Sequence, residues 1–121
     1  PSIVNAWIQE YQDIGQSSDE TRHTGPFGQL PILIFSQDPK GSPSDPSPYS
    51  AAVTNQMHSA WNQMQEELKQ LSPNSRRIIA KGSGHYIEVD RADLINREVP
   101  IFIEQIRSGT PSPDIGSTKT E

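Results

Sequence analysis

Apolar residues recur along this chain with changing period, and the changes divide it into elements. Ile3, Val4, Trp7, Ile8 and Tyr11 share one face of a helix at the 3.6-residue repeat, a pattern that ends near Gly15. Residues 16–29 are polar, contain Gly25-Pro26-Phe27-Gly28 and keep neither helical nor strand period, so they read as a connecting loop. Residues 30–36 form a near-continuous apolar run, Leu-Pro-Ile-Leu-Ile-Phe-Ser, the pattern of a strand covered on both faces. Pro31 is tolerated there because it stands at the start, where a ladder donor can be missing.

Gln37-Asp38-Pro39 ends that run, and residues 40–50 are a proline-interrupted polar insertion that reads as a surface loop or flap. Met57, Trp61, Met64, Leu68 and Leu71 then step by four, three, four and three, which predicts a helix from about 50 to 71 laying one apolar stripe against something flat. Ser72-Pro73-Asn74 stops it, and residues 76–80 make a second short strand entered through Arg76-Arg77. Leu94, Ile95, Val99, Phe102, Ile103 and Ile106 mark the face of a last helix, in which Pro100 should produce a kink or a break. Asp90 is placed to cap its first turn, with Asp93 favourable to the dipole. Residues 108–121 carry no packing pattern and are expected to be a disordered tail.

Strand, helix, strand, helix is a βαβα order, so the fold class is α/β with parallel strands and flanking helices. At 121 residues with 31% hydrophobic and 21% charged, the core must come from a few dense segments. A net charge of −5 without a Lys/Arg stripe argues against nucleic acid or an anionic membrane as partner. No cysteine is present, which excludes disulfides, a thiol nucleophile and a thiolate metal site and is compatible with a cytoplasmic setting. No apolar run reaches the roughly 20 residues of a spanning helix.

The chemistry concentrates in Lys81-Gly82-Ser83-Gly84-His85-Tyr86-Ile87-Glu88-Val89-Asp90, where a turn of small residues presents one histidine between a strand and a helix. Asp38 follows the first strand and His85 follows the second, so a parallel sheet brings both to one carboxyl edge, where open α/β sheets place their sites. An Asp–His pair there allows the carboxylate to fix the tautomer while the imidazole moves a proton. His23 reads as an ordinary loop residue and His58 as a helix-surface residue.

Leu30 to Arg107, with the strand ending in Gln37-Asp38 and the loop Gly82-Ser83-Gly84-His85 ahead of a helix, resembles the C-terminal part of an α/β-hydrolase, whose triad runs Ser, Asp or Glu, then His. The resemblance implies His85 as general base and Asp38 as its orienting acid, hydrolysing an ester or related bond of a small-molecule substrate without cofactor or metal. Residues 1–29 would be the end of a lid or cap helix and its connecting loop. The insertion after the first strand is longer than the family's usual connection, which leaves Asp45 as a rival acid. No Gly-x-Ser-x-Gly occurs, so the nucleophile, a serine or an aspartate, and the oxyanion hole would lie upstream in a longer polypeptide, and this chain alone is expected to be inactive. Two other readings compete: a non-catalytic hydrolase-like binding protein or remnant, and a small doubly wound domain that holds an anion on the Gly82-Ser83-Gly84 turn. Oligomeric state is open on these grounds.

Overall fold

Two short runs, Ile-Leu-Ile-Phe-Ser-Gln and Ser-Arg-Arg-Ile-Ile-Ala, pair as parallel neighbours. Strand β1 (Ile32–Gln37) lies along strand β2 (Ser75–Ala80), with Ile32 opposite Ser75 and Gln37 opposite Ala80. The computed structural model describes residues 2–23, 25–41 and 47–121. A third strand, β3 (Thr118–Thr120), lies parallel to β2 on its far side, giving the order β1-β2-β3. The architecture is therefore α/β, a small parallel sheet flanked by helices.

Between the first two strands runs helix α2 (Ala51–Glu67), capped by Ser50, whose hydroxyl accepts from the Val53 amide, and continued by a 3-10 turn over Leu68–Leu71. After β2 come the single turn α3 (Ile87–Asp90) and helix α4 (Ala92–Ser108). Pro100 lies inside α4, which is one uninterrupted element and not two pieces; it closes on Gly109 in the left-handed conformation. The main apolar cluster sits on one face of the sheet, where Ile78 and Ala80 meet Leu94 of α4, with Leu33, Phe35 and Ile87 packed against them. Each large apolar side chain buried there contributes roughly 1.5–3 kcal/mol.

Successive residues of β2 point to opposite faces, so the two arginines that open the strand go separate ways. Arg76 turns to the α4 side, where Nη1 donates to Glu98 at 3.3 Å and Phe102 lies 5.8 Å from the guanidinium carbon. Its Nε and Nη2, with the Ser75 hydroxyl and the Gln105 amide oxygen, are buried without a partner among the described residues. Unpaired buried groups of this kind cost about 1–3 kcal/mol each. Arg77 turns to the α2 side and is 1% exposed. It donates to the Ser36 hydroxyl at 2.8 Å, the Asn62 side-chain oxygen at 2.9 Å, the Asn62 carbonyl at 3.3 Å and Glu66 at 3.1 Å.

Arg77 decides how α2 docks. The expected apolar contact is not what forms: Asn62, Gln65, Glu66 and Lys69 turn inward, while Met57, Trp61, Met64 and Leu68 are exposed. The physical reason is that a buried guanidinium needs acceptors, and the polar stripe one position along the helix, about 100° round its axis, supplies them.

Glu66 also receives Lys69 and the Thr118 hydroxyl at 2.7 Å. Burial opposes its ionisation, but the hydrogen bonds from Lys69, Thr118 and Arg77 outweigh it and hold the carboxyl at about 2, against an ordinary 4.5. A folded-state value below the unfolded one contributes stability above pH 4.5 that is lost as pH falls toward 2. The side chain is 42% exposed, so solvent screening reduces the contribution to about 1 kcal/mol. Glu66→Gln should therefore lower stability by that amount at neutral pH, and urea midpoints measured at stepped pH should converge with wild type as acid is added. A gap that stays constant down to the lowest folded pH would remove the ion pair from the explanation.

Helix α1 (Ile3–Arg22) extends past Gly15, where the apolar period ends. Residues 16–22 are helical because side chains three and four apart support one another: Gln16 donates to Glu20 at 2.8 Å, Arg22 to Asp19, and the Thr21 hydroxyl to the Ser17 carbonyl at 2.7 Å. No residue of α1 is buried. Among the described residues, no helix is long and apolar enough to cross a membrane.

The expectation of a disordered tail is also corrected. Backbone bonds tie residues 116–121 to β2 and its exit, among them Gly116 N–H to Ser75 O at 2.8 Å and Lys81 N–H to Glu121 O at 2.6 Å. Main-chain pairing to an open sheet edge needs no apolar side chain, which is why periodicity is silent about it. The sheet runs in sequential order, yet α2 and α4, the two crossovers, cover opposite faces. The crossovers consequently have opposite hands, and one of them is the rare left-handed kind.

Candidate active site

Asp38 is the first residue after β1 and Lys81 the first after β2, so the histidine turn and the acid leave the sheet side by side at its carboxyl edge. The Asp38 carboxylate lies on that turn: one oxygen accepts from the Gly82 amide at 2.8 Å and the other from the Lys40 amide at 2.9 Å. Ser83 is fully buried beneath it; its hydroxyl donates to the Ala80 carbonyl at 2.7 Å and accepts from the Asp38 amide at 3.4 Å. Gly82 has a φ of 76°, a conformation that strains any residue with a Cβ. Two strand ends 44 residues apart are thus cross-linked through one carboxylate.

The far side of the turn is held by different groups. Asp90 accepts from the Gly84 amide at 2.7 Å, so it closes the histidine loop and does not cap α4. The residue at the start of α4 is Arg91, with no side-chain capping bond. Arg91 donates to the main-chain oxygens of Lys81 at 3.1 Å and Glu121 at 2.6 Å, and forks onto Asp93 at 3.0 and 3.2 Å. The Asp93 carboxylate raises the Arg91 guanidinium above its ordinary value, and Arg91 in return holds Asp93 below the usual carboxylate range. Arg91 is the residue that sequence reasoning passed over. An arginine beside an expected N-cap is an ordinary sight, and only the third strand reveals what it binds.

His85 projects from this braced turn with an exposed side chain, its ring edge-on to Tyr86 at 5.2 Å and 79°. Among the described residues no hydrogen bond joins it to Asp38. The acid and the base therefore share one rim, and the carboxylate reaches the turn three residues short of the imidazole. Each carboxylate oxygen has two lone-pair directions and each accepts one amide here, so Asp38 retains capacity for the N–H of an imidazole. The rival acid, Asp45, lies outside the described residues. His23 closes the C-terminus of α1, and His58 is half-buried on α2.

The anion-holding alternative for Gly82-Ser83-Gly84 is overturned by the same bonds. The three amides are already given to Asp38, Ala80 and Asp90, and two of those acceptors are carboxylates. No group of three or more His, Asp or Glu among the described residues is arranged to hold a metal ion. Comparison with protein-family models, with curated proteins and with solved structures found no match.

Proposed function

We propose that this chain is the C-terminal segment of a cytoplasmic α/β-hydrolase, contributing Asp38 and His85 to a nucleophile–His–acid triad that cleaves an ester or related bond of a small molecule. The observation that carries this reading is the Asp38 carboxylate seated on the histidine turn at the shared edge of two parallel strands. With a serine nucleophile, Nε2 of His85 takes the hydroxyl proton as the oxygen attacks the carbonyl carbon, and passes it to the departing alkoxide. Water then enters by the same route to release the acid, while Asp38 accepts from Nδ1–H and stabilises the imidazolium. The 121 residues contain no Gly-x-Ser-x-Gly, so the nucleophile comes from elsewhere and the segment alone turns over no ester.

Exposure of His85 makes the test clean. In the polypeptide or complex that holds this segment together with its nucleophile, His85→Ala should reduce ester turnover by at least about ten-thousandfold, as loss of a triad base does. Thermal stability should stay near wild type, because the exposed imidazole makes no hydrogen bond among the described residues. Unchanged turnover would end the assignment.

One observation favours a second reading, a non-catalytic hydrolase-like protein. Both Asp38 oxygens already serve main-chain amides, as a purely structural latch between strand ends would. In that case His85→Ala has no turnover to abolish.

A further inference from the structure

At the amino end of the sheet, opposite the rim that carries Asp38 and His85, a cavity of about 230 Å³ opens between the strand entrances, the second half of α4 and the segment leading to β3. Pro31, Phe102, Ile106 and Ile115 make its apolar walls, and Arg76 and Gln105 are among its polar members. These two residues carry three of the buried atoms without a partner: Nε and Nη2 of Arg76 and the side-chain oxygen of Gln105. Nε–H and Nη2–H lie on one edge of the guanidinium and point the same way, forming a two-donor fork. Two side chains lining one cavity therefore hold two donor atoms and one acceptor that have no partner among the described residues.

Charge selects what can answer them. Arg76 is 4% exposed and already faces Glu98 at 3.3 Å and Asp114 at 3.9 Å. Arg97 bonds Glu98 and Glu121, and Lys119 bonds Asp114. Arg76, Arg97 and Lys119 thus meet three carboxylates, and the cluster is neutral as it stands. An anion would add charge beside the buried Glu98 and partly buried Asp114 carboxylates; a cation would meet the fork head-on. The group required is uncharged, accepts twice through one oxygen and donates once, and an amide suits a cationic fork better than a hydroxyl because its carbonyl oxygen is the stronger acceptor.

We propose that this cavity binds a small apolar primary carboxamide, its carbonyl oxygen on the Arg76 fork, its N–H₂ on the Gln105 oxygen and its hydrocarbon body against Phe102, Ile106 and Ile115. The volume suits this class. An apolar cavity of about 150 Å³ takes benzene, so 230 Å³ has room for a ring and one amide group. None of the three atoms is open to solvent, so entry requires the Gln105 side chain, whose amide oxygen accepts no bond, to swing aside and close over the ligand. The site does not depend on the hydrolase reading, since it uses the opposite end of the sheet and none of the same residues.

The test is titration of the ¹⁵N-labelled 121-residue protein with benzamide, benzoate and benzyl alcohol, followed by amide shifts. Benzamide should give saturable shifts at Arg76, Phe102, Gln105 and Gly109, with benzoate and benzyl alcohol at least roughly tenfold weaker. Arg76→Lys keeps a cation beside Glu98 but loses the fork, and should weaken benzamide by a similar factor. Because a buried arginine is also structural, Ile106→Trp provides a second variant: the residue is half exposed at the wall, and the indole fills the cavity and should abolish the shifts. The proposal is overturned by benzamide shifts that do not saturate up to about 10 mM, by benzoate or the alcohol binding as well as the amide, or by wild-type affinity in Ile106→Trp.

Discussion

Asp38→Asn should lower ester turnover of the nucleophile-bearing enzyme by roughly a thousand- to ten-thousandfold, the loss expected when an imidazole is left without its tautomer guide. The same substitution has a structural effect of a different size. Asparagine keeps one acceptor oxygen, whereas Asp38 serves two amides, Lys40 and Gly82, so one loses its partner and the other bond is weakened by loss of charge. Both amides are near solvent, which limits the penalty to about 1 kcal/mol. A latch alone would therefore change activity by less than about tenfold, through the small fraction of protein that unfolds. Steady-state kinetics separate the cases: the catalytic role requires kcat to collapse with KM nearly unchanged, because the carboxylate touches no substrate. A fall in turnover no larger than the fall in folded protein would reduce Asp38 to a structural clamp.

That comparison turns on geometry that the linear chain states clearly. The apolar run before Asp38, the run before Lys81 and the stripe pattern of α2 are each local signals, and a helix of that length between two strands forces them parallel. Both candidate residues then fall on one rim without further information. Asp90 was harder to place, because an acidic residue just before a helix is ambiguous between capping the helix and closing the preceding loop. The Gly84 amide settled it in favour of the loop. The length of α1 was invisible to hydrophobic periodicity because its second half is sustained by polar pairs along an exposed helix. β3 was invisible because backbone pairing at a sheet edge asks nothing of the side chains. The orientation of α2 failed for a deeper reason: the stripe predicts which face is apolar, and only the partner surface decides which face is buried.

Arg77 is that partner surface, and its removal should have the largest effect on stability of any single change considered. Arg77→Met keeps the length and bulk of the side chain but strips hydrogen bonds from Ser36, Asn62 and Glu66. Glu66 is cushioned, since Lys69 and Thr118 still bind it and half its side chain reaches water. Ser36 and Asn62 have less relief, and breaking a buried charged network from one side costs about 3 kcal/mol. Chemical denaturation should show that loss against a domain stability of the usual 5–15 kcal/mol. Adding Asn62→Leu to Arg77→Met should recover about half of it, because two apolar side chains of similar size then meet where an orphaned amide would otherwise remain. If the double variant is instead the sum of its parts, the guanidinium and Asn62 are not energetically coupled, and the inward turn of the polar face of α2 must be driven by something other than Arg77.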